Sequence, residues 1–432
     1  MDCYKITGDK PLSGIIDAKG AKNSATKCMV ATLLNPEKNV LENFPRSGET
    51  EITKELCERI GAKVTIEGSV CKLETKNIER HSVPELSRKN RIPILALSPL
   101  LHRSGIAEVP LVGGDNLGAR PVNFHLSALS KMGAKIEIKK NSYVAKAKRL
   151  KGTAIDLPYP SVGATENIIL AGVLARGKTI IKNAATEPEV IDLVKMLQKM
   201  GAIIELGTSR VITIEGVKNL KGAKHYILPD RNEVVSFAVL AIATGGKILV
   251  RGAIQDHLIT FLNTLRRMGA FYDVRHEGII FYRGERLNGI DIETDTHPGF
   301  MTDWQQPLTV LLTKASGKSI IHETVYEDRF GYTKDLNKMG AKIKVTDKCL
   351  GALGCRFKNK KYAHSARIGG VADLKGMEIN ITDIRAGIAH VIAALSAKGE
   401  SKITGIEHLD RGYEDLEKRL QSVGANISRH EI

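Results

Sequence analysis

The chain is 432 residues long, 42% hydrophobic and 26% charged, a composition typical of a globular protein with more than one hydrophobic core. It has no run of about 18 apolar residues and it begins with a polar segment, so the sequence predicts neither a membrane span nor a signal peptide. The net charge of +16 with only 5% aromatic residues favours small anionic substrates over stacked nucleic-acid bases. An RNA-binding or RNA-end-processing protein remains the alternative from a different functional class.

The cysteines show neither a CxxC pair nor a regular spacing, and the histidines form no HExxH motif. We therefore expect neither a zinc site nor a disulfide framework, and we expect a reducing, cytoplasmic location. The six cysteines are Cys3, Cys28, Cys57, Cys71, Cys349 and Cys355.

A helix-to-strand signature recurs along the chain. Each copy has a segment with helical periodicity, then a step of hydrophobe, glycine and alanine, then an alternating segment typical of a strand. The glycine is expected to end the helix because it tolerates the left-handed backbone conformation. The six steps are Ile60–Ala62, Met132–Ala134, Met200–Ala202, Met268–Ala270, Met339–Ala341 and Val423–Ala425.

A second piece, a helix of small residues followed by a turn and a strand, alternates with the first. Together they form a unit of about 70 residues that is used six times. Six such units exceed the usual size of one domain, so the sequence predicts an α/β protein with two domains of three units. The segment around Pro229 separates the third unit from the fourth, and a cleft between domains is a common ligand site.

Loops rich in Gly, Pro, Arg and carboxylates interrupt the repeats, and such loops often carry binding groups. Lys22 and Asn23 precede a helix of small residues, where a helix N-terminus and a lysine can bind an anion. The alternative is a solvated lysine. Asp115 lies in a glycine-rich loop and is otherwise a turn or capping residue. The segment from Ser161 to Gly163 is typical of a helix N-cap, with or without a bound diphosphate.

The later loops also carry charged candidates with ordinary alternatives. Asp303 follows a Pro-Gly turn and can be a simple N-cap. Arg385 and Arg411 each follow closely on an aspartate, Asp383 and Asp410, so local ion pairs would account for both arginines. None of these motifs decides the function alone.

Taken in order, these segments resemble the UDP-N-acetylglucosamine 1-carboxyvinyltransferases, a branch of the enolpyruvyl transferase family, over nearly the whole chain. The fold that the resemblance implies is a two-domain inside-out α/β barrel with three βαβαββ repeats in each domain. Domain I would be residues 22–229, domain II residues 1–21 and 230–432, with the active site in the cleft between them. The segments that carry the resemblance are GAKN (20–23), GARPVNFHL (118–126), SVGATENI (161–168), NAATEPEVIDL (183–193), PGFMTDWQ (298–305), DRF (328–330) and HLDRGYE (408–414).

The resemblance also implies a reaction by addition and elimination. A base removes the proton of the sugar 3-hydroxyl, which attacks C2 of phosphoenolpyruvate while an acid protonates C3. Phosphate then leaves and an enol ether forms, as the first committed step of peptidoglycan synthesis. The partners implied are the small substrates phosphoenolpyruvate and UDP-N-acetylglucosamine, with no metal, organic cofactor, nucleic acid or membrane.

Positions matching the family's motifs carry its roles. Asp303 would be the base and Asp115 the general acid, with Lys22 and Arg411 also catalytic. Arginine suits the binding of phosphate and carboxylate because its planar fork can hold both bidentately. The implied phosphoenolpyruvate-binding residues are Lys22, Asn23, Arg120, Arg385 and Arg411. The implied nucleotide-sugar residues are Arg91, Arg120, Pro121, Val122, Asn123, Phe124, Ser161, Val162, Gly163, Asp303 and Val325.

Asp115 departs from the family's usual pattern, since most members have cysteine there and a minority have aspartate. To act as an acid it must be protonated, although an isolated aspartate has a pKa of about 3.9. Burial or a neighbouring carboxylate must therefore raise its pKa, or activity must peak at lower pH. Fosfomycin inactivates the usual enzymes by alkylating the cysteine thiolate, and a carboxylate is a poorer nucleophile, so resistance to fosfomycin is expected.

Smaller departures concern the acceptor. Asn123 and Phe124 stand where aspartate and leucine are usual, and Tyr159 and Pro160 replace a Lys-Val pair. These changes keep open a different uridine nucleotide as the acceptor. The shikimate branch of the family shares the fold and the chemistry and is a further alternative. It has no use for the nucleotide loop or for an acid at position 115.

Overall fold

The computed structural model describes residues 2–86, 91–112, 122–353, 355, 357–358 and 360–431. The chain divides into two compact units. One, called the C-terminal unit below, consists of residues 2–19 and 229–431, and the other, the central unit, consists of the described residues within 20–228.

Helices and strands alternate along both units. The α-helices in the described residues are α1 (Lys22–Thr32), α2 (Gly48–Ile60), α3 (Leu97–Ser104), α4 (Asn123–Lys131), α5 (Val162–Gly172), α6 (Pro188–Lys199), α7 (Arg231–Thr244), α8 (Ile259–Met268), α9 (Gln305–Thr313), α10 (Thr333–Lys338), α11 (Ile384–Leu395), α12 (Glu407–Asp410) and α13 (Leu416–Gln421). Short 3₁₀ helices cover Ile92–Ala96, Gln255–His257 and Thr302–Trp304.

The strands are short and follow the helices closely. They are β1 (Asp2–Thr7), β2 (Ser13–Asp17), β3 (Lys38–Glu42), β4 (Lys63–Glu67), β5 (Val70–Glu74), β6 (Ile106–Pro110), β7 (Lys135–Ile138), β8 (Ser142–Lys146), β9 (Ala154–Asp156), β10 (Lys178–Lys182), β11 (Ile203–Leu206), β12 (Ile212–Glu215), β13 (Lys224–Tyr226), β14 (Lys247–Arg251), β15 (Ala270–Arg275), β16 (Gly278–Arg283), β17 (Asp291–Glu293), β18 (Lys318–His322), β19 (Lys342–Thr346), β20 (Ser365–Gly369), β21 (Glu378–Asn380), β22 (Glu400–Thr404) and β23 (Asn426–Glu431).

Each unit contains three sheets in its described residues. In the C-terminal unit the strand orders are β21-β22-β1-β23, β15-β16-β14-β2 and β17-β18-β20-β19. In the central unit they are β13-β3-β5-β4, β11-β12-β10-β9 and β6-β8-β7. Every four-stranded sheet has one parallel pair at an edge and antiparallel pairs elsewhere. In the three-stranded sheet an isolated parallel bridge between Ser82 and Glu108 takes the place of the edge strand. The predicted α/β fold with six repeats is confirmed.

The glycine of each hydrophobe-Gly-Ala step ends a helix, as predicted. All six have a positive φ, between 81° and 120°, at the C-termini of α2, α4, α6, α8, α10 and α13. This conformation costs glycine little and most other residues considerably more. The six glycines are Gly61, Gly133, Gly201, Gly269, Gly340 and Gly424.

One helix from each repeat lies in the centre of its unit. In the C-terminal unit α7, α9 and α11 contact one another, and nearly all of their residues are buried. A helix that is apolar on every side must be covered on every side, so the sheets enclose these helices. In the central unit α1, α3 and α5 have mostly buried residues in the same way. In the described residues no helix combines the length and the apolar character needed to span a bilayer.

Candidate active site

The N-termini of the three central helices converge in the C-terminal unit. Asp303 lies in the 3₁₀ helix just before α9, and its carboxylate accepts a hydrogen bond from Arg385 in the first turn of α11. Trp304 donates from its indole nitrogen to Asn232 at the start of α7, at 3.0 Å. Helix N-termini carry partial positive charge and unpaired N–H groups, so this end of the helices favours anions.

Asp303 is held between two arginines. Its Oδ1 accepts from Arg329 Nη2 at 2.5 Å, and its Oδ2 accepts from Arg385 Nε at 3.0 Å. Both guanidinium groups are buried, with side-chain exposures of 2% and 9%, while the side chain of Asp303 is 18% exposed. The carboxylate is therefore largely enclosed, and a hydrogen bond to each of its oxygens fixes its orientation.

These partners control the ionisation of Asp303. Burial by itself raises its pKa, but the positive charges of Arg385 and Arg329 and their hydrogen bonds outweigh burial and hold the pKa well below its usual range. The carboxylate is thus ionised at every ordinary pH. Two cations therefore orient this carboxylate.

A buried carboxylate, Glu323, supports this arrangement from behind. Its Oε2 accepts from Thr302 Oγ1 at 2.7 Å, and Arg329 Nη1 donates to the same threonine oxygen at 2.6 Å. Its Oε1 accepts from the backbone N–H of Val325 at 2.7 Å. The N–H of Val325 is therefore engaged by this carboxylate.

The local ion pair that the sequence allowed for Arg385 does not form. Asp383 is the N-cap of α11 and accepts from the backbone N–H groups of Arg385 and Ala386, at 2.8 and 2.9 Å. This leaves the guanidinium of Arg385 to Asp303. Asp410 accepts from Arg429 Nη2 at 2.6 Å. Arg411, which follows α12, is half-buried.

In the central unit the predicted nucleotide-sugar residues gather at helix N-termini. Val122 is the N-cap of α4, and Asn123 and Phe124 are its first residues. Ser161 caps α5, where its Oγ accepts from the N–H of Ala164 at 3.4 Å. Val162 and Gly163 open that helix.

His125, which the sequence analysis did not select, joins these two helices. Its Nδ1 accepts from Asn167 Nδ2 on α5 at 3.2 Å. A Cβ at Gly163 would lie only 3.1 Å from His125 Cε1, so glycine permits the imidazole to lie against the start of α5. Burial, assisted by the charge of Arg91, lowers the pKa of His125 to about 3, and the ring is neutral. Arg91, which precedes the 3₁₀ helix Ile92–Ala96, thus belongs to the same cluster.

Lys22 and Asn23 are the first two residues of α1, as predicted, and both are half-buried. The first turn of α1 contains no acidic residue, so the lysine charge and the helix N-terminus reinforce each other. The remaining predicted residues, Asp115, Arg120 and Pro121, lie outside the described residues.

Arg329 and Glu323, like His125, had no role in the reasoning from the sequence. Arg329 lies in the DRF segment that carried part of the resemblance, which is the only signal that pointed to it. Glu323 follows β18 directly, and nothing in its spacing distinguishes it from a surface residue.

Glu166, on α5, is a second buried carboxylate with a different environment. It is 0% exposed, and within the described part of the chain neither of its oxygens has a hydrogen-bond partner. Burial and the carboxylates of Glu189 and Glu187 raise its pKa to about 7, against the opposing charge of Lys27. Folding therefore requires this group to be protonated, or costs free energy if it is not.

This environment predicts a pH-dependent stability. Between pH about 4.5 and 7 the folded chain binds a proton at Glu166 that the unfolded chain has released, so the stability from this group falls as pH rises through that window. Glu166→Gln, which stays neutral, is expected to gain about 3 kcal/mol over wild type at pH 8 and less than about 1 kcal/mol at pH 5. Urea unfolding at both pH values measures the difference.

The exposed Glu205 on β11 supplies the matched control, because Glu205→Gln changes the same charge without relieving burial. If the Glu166→Gln and wild-type chains lose equal stability between pH 5 and pH 8, the buried carboxylate is not the titrating group.

Comparison with known proteins adds a family match. The model of the family described as EPSP synthase (3-phosphoshikimate 1-carboxyvinyltransferase) matches residues 6–420. A relative from Protochlamydia amoebophila, named UDP-N-acetylglucosamine 1-carboxyvinyltransferase, is 48% identical over 99% of this chain and 94% of its own length. A relative of the same name from Chlamydia abortus is 46% identical over 99% of this chain and 98% of its own.

Solved structures agree on the fold. The crystal structure of the enolpyruvyl transferase NikO from Streptomyces tendae superposes with a TM-score of 0.87 at 24% identity, over 99% of this chain and 98% of that one. An EPSP synthase from Acinetobacter baumannii superposes with a TM-score of 0.74 at 19% identity, over the full length of both chains.

Proposed function

Because the chain belongs to the enolpyruvyl transferase family, we propose that it transfers the enolpyruvyl group of phosphoenolpyruvate to the 3-hydroxyl of UDP-N-acetylglucosamine and releases phosphate. The relatives with this activity in their names align over nearly the whole of both chains. The reaction is the first committed step of peptidoglycan synthesis, and we place it in the cytoplasm.

The observation that carries the proposal is the carboxylate of Asp303 between two buried guanidinium groups. We assign Asp303 as the base that takes the proton of the acceptor hydroxyl. Arg385 donates a hydrogen bond from Nε to Asp303. Its two Nη atoms are suited to bind the carboxylate or the phosphate of phosphoenolpyruvate. Arg329, which is engaged by Thr302 as well, holds the base in position.

A carboxylate with a depressed pKa is a weak base until its surroundings change. We propose that phosphoenolpyruvate supplies the change, since its anionic groups compete with Asp303 for Arg385. The charge of Arg385 makes the largest contribution to lowering the pKa of Asp303. Partial loss of this partner therefore raises the pKa. The base is thereby strengthened when the second substrate is bound.

The diphosphate of the acceptor is assigned to the start of α5, where Ser161 caps the helix and Val162 and Gly163 present backbone N–H groups. Arg91 supplies positive charge to the same cluster. Asn123 and Phe124, at the start of α4, are assigned to the nucleotide. We assign Lys22 and Asn23, and with them Arg120 and Arg411, to phosphoenolpyruvate, and the backbone of Val325 to the acetamido group.

Asp115 is proposed to protonate C3 of phosphoenolpyruvate in place of the more usual cysteine. Wild-type protein is therefore expected to keep its activity during prolonged incubation with fosfomycin, and Asp115→Cys to lose it progressively, because only a thiolate opens the epoxide readily. Residual activity against time of preincubation measures both. Asp115→Ser, which places no thiol at this position, is the control, and time-dependent loss in wild type would contradict the assignment.

The reaction is tested by mixing the protein with phosphoenolpyruvate and UDP-N-acetylglucosamine, following phosphate release and weighing the product. We expect phosphate and a carboxyvinyl adduct of the nucleotide sugar. Parallel reactions contain shikimate 3-phosphate or another uridine nucleotide as the acceptor. If one of these acceptors is converted and UDP-N-acetylglucosamine is not, that compound is the acceptor and the proposed substrate is wrong. A folded protein that releases no phosphate between pH 5.5 and 8 would overturn it.

A further inference from the structure

Four potential metal ligands, none of them assigned to the reaction, meet at one edge of the sheet β17-β18-β20-β19. His322 is the last residue of β18 and His364 immediately precedes β20. Cys349 and Cys355 lie in the segment between β19 and β20. One ligand atom from each of the four lies within 4.8 Å of all the others.

The hydrogen bonds of the two histidines leave lone pairs available for a metal. His364 Nδ1 lies 2.6 Å from the backbone carbonyl of Tyr362, which can only accept, so Nδ1 carries the proton and Nε2 carries the lone pair. That Nε2 is 3.3 Å from Cys349 Sγ. His322 Nδ1 is 2.8 Å from Ser365 Oγ. Its Nε2 is buried and, among the described residues, has no hydrogen-bond partner.

The ligand set and its dimensions fit zinc. Two thiolates and two imidazoles are a common structural zinc set, with Zn–S distances of about 2.3 Å and Zn–N distances of about 2.0–2.1 Å. In a tetrahedron with such bonds the ligand atoms are about 3.3–3.8 Å apart. The observed 3.3 Å between Cys349 Sγ and His364 Nε2 falls in that range. All other distances between the four ligand atoms are at most 4.8 Å, so the atoms need to move only slightly toward one another to bind the ion.

We propose that His322, Cys349, Cys355 and His364 bind a structural Zn²⁺ ion. The bonds from Tyr362 and Ser365 to the outer ring nitrogens are the supporting contacts that histidine ligands of metals usually have. With four protein ligands there is no open coordination position, so the ion stabilises the fold and takes no part in the reaction.

The site would fasten a long connection to the sheet. Glu293 on β17 already accepts from the backbone N–H groups of Ala352 and Leu353, at 2.7 and 2.8 Å. At the other end of the connection, the N–H of Ala363 donates to Asp328, next to Arg329. A metal ion between the two cysteines and the two histidines would therefore hold in place the segment that borders the partner of Asp303.

A disulfide between Cys349 and Cys355 is the competing chemistry. Both thiols are free in the structure, and a disulfide would leave the buried Nε2 of His322 without a partner among the described residues. The proposal also departs from the sequence analysis, which predicted no zinc site because the cysteines lack CxxC spacing. The four ligands come from a strand end and a loop, so no short motif contains them.

The test measures metal in untagged protein produced in zinc-supplemented medium. We expect about one zinc per chain after gel filtration, and loss of this zinc in Cys349→Ser and Cys355→Ser. His276→Ala, which removes an exposed histidine, and Cys71→Ser, which removes a thiol from β5, are the matched controls and should keep the zinc. Zinc at the wild-type level in both loop variants would overturn the proposal.

Two measurements on the wild-type chain avoid any dependence on folding of the variants. Iodoacetamide should modify Cys349 and Cys355 only after zinc is removed with a chelator, as read by peptide mass spectrometry. Addition of Co²⁺ to the zinc-free protein should produce thiolate-to-cobalt charge-transfer absorption. Equal alkylation with and without chelator, no charge-transfer band, or a Cys349–Cys355 disulfide in freshly purified protein would each overturn the proposal.

Discussion

Asp303→Asn is expected to reduce kcat by about a thousandfold, because general base catalysis typically contributes 10²–10⁴-fold and asparagine cannot accept the proton. The amide is nearly isosteric, so one arginine keeps an oxygen acceptor and the KM values should change much less than kcat. Steady-state phosphate release at saturating substrates measures the effect. The control is Asp295→Asn, which changes an exposed aspartate between β17 and the 3₁₀ helix that contains Asp303, and it should retain wild-type turnover.

The ionisation of Asp303 sharpens this test. Since Arg385 and Arg329 hold its pKa far below the neutral range, the ligand-free enzyme should show no loss of kcat/KM from protonation of Asp303 between pH 5 and 7. Any acidic limb in that range belongs to another group. A wild-type level of turnover in Asp303→Asn, with the circular dichroism spectrum unchanged, would remove this residue from the chemistry.

Arg329→Met is expected to destabilise the protein by about 3 kcal/mol, the lower end of the range for breaking a buried ion pair, because Asp303 keeps only Arg385 as a cationic partner. The guanidinium contacts both Asp303 and Thr302, and its side chain is only 2% exposed. Denaturant unfolding measures the loss. Arg367→Met on β20, which removes an exposed arginine, should change stability by much less.

The same substitution should also alter the pH profile. With Arg329 absent, Asp303 retains a single positive partner, and its pKa rises toward the ordinary value. Arg329→Lys, which keeps the charge but lacks the fork, should fall between wild type and Arg329→Met in stability. If Arg329→Met unfolds at the wild-type denaturant concentration, the buried pair is not a stabilising element.

The fold was predictable because its signals are local and repeated. Each hydrophobe-Gly-Ala step needs only a helix, a glycine with positive φ and a strand, and all of these are visible within about a dozen residues. Positions at helix N-termini, such as Lys22 and Ser161, were predictable for the same reason.

The contacts that give the site its chemistry were not predictable, because they join residues far apart in the chain. Asp383 and Arg385 are close enough in the chain to form an ion pair. Instead, the carboxylate of Asp383 caps α11 by accepting from backbone N–H groups, and the guanidinium of Arg385 donates to Asp303, 82 residues away. Glu323, which follows β18, accepts a hydrogen bond from Thr302, which lies 21 residues earlier in a 3₁₀ helix. Only the topology of the sheets brings such groups together.

The pairing of β1 has a consequence for synthesis on the ribosome. This strand contains residues 2–7 but pairs with β22 and β23, whose register places Cys3 opposite Thr404 and Asp2 opposite Glu431. At translation rates of about 5–20 residues per second, β1 must wait about 20–80 s for its neighbours. Residues 20–228 have all their strand partners long before that, so they are free to fold first while the nascent N-terminal strand remains an open edge. A chaperone that covers exposed strands would find its binding site at β1 until β22 and β23 have left the exit tunnel.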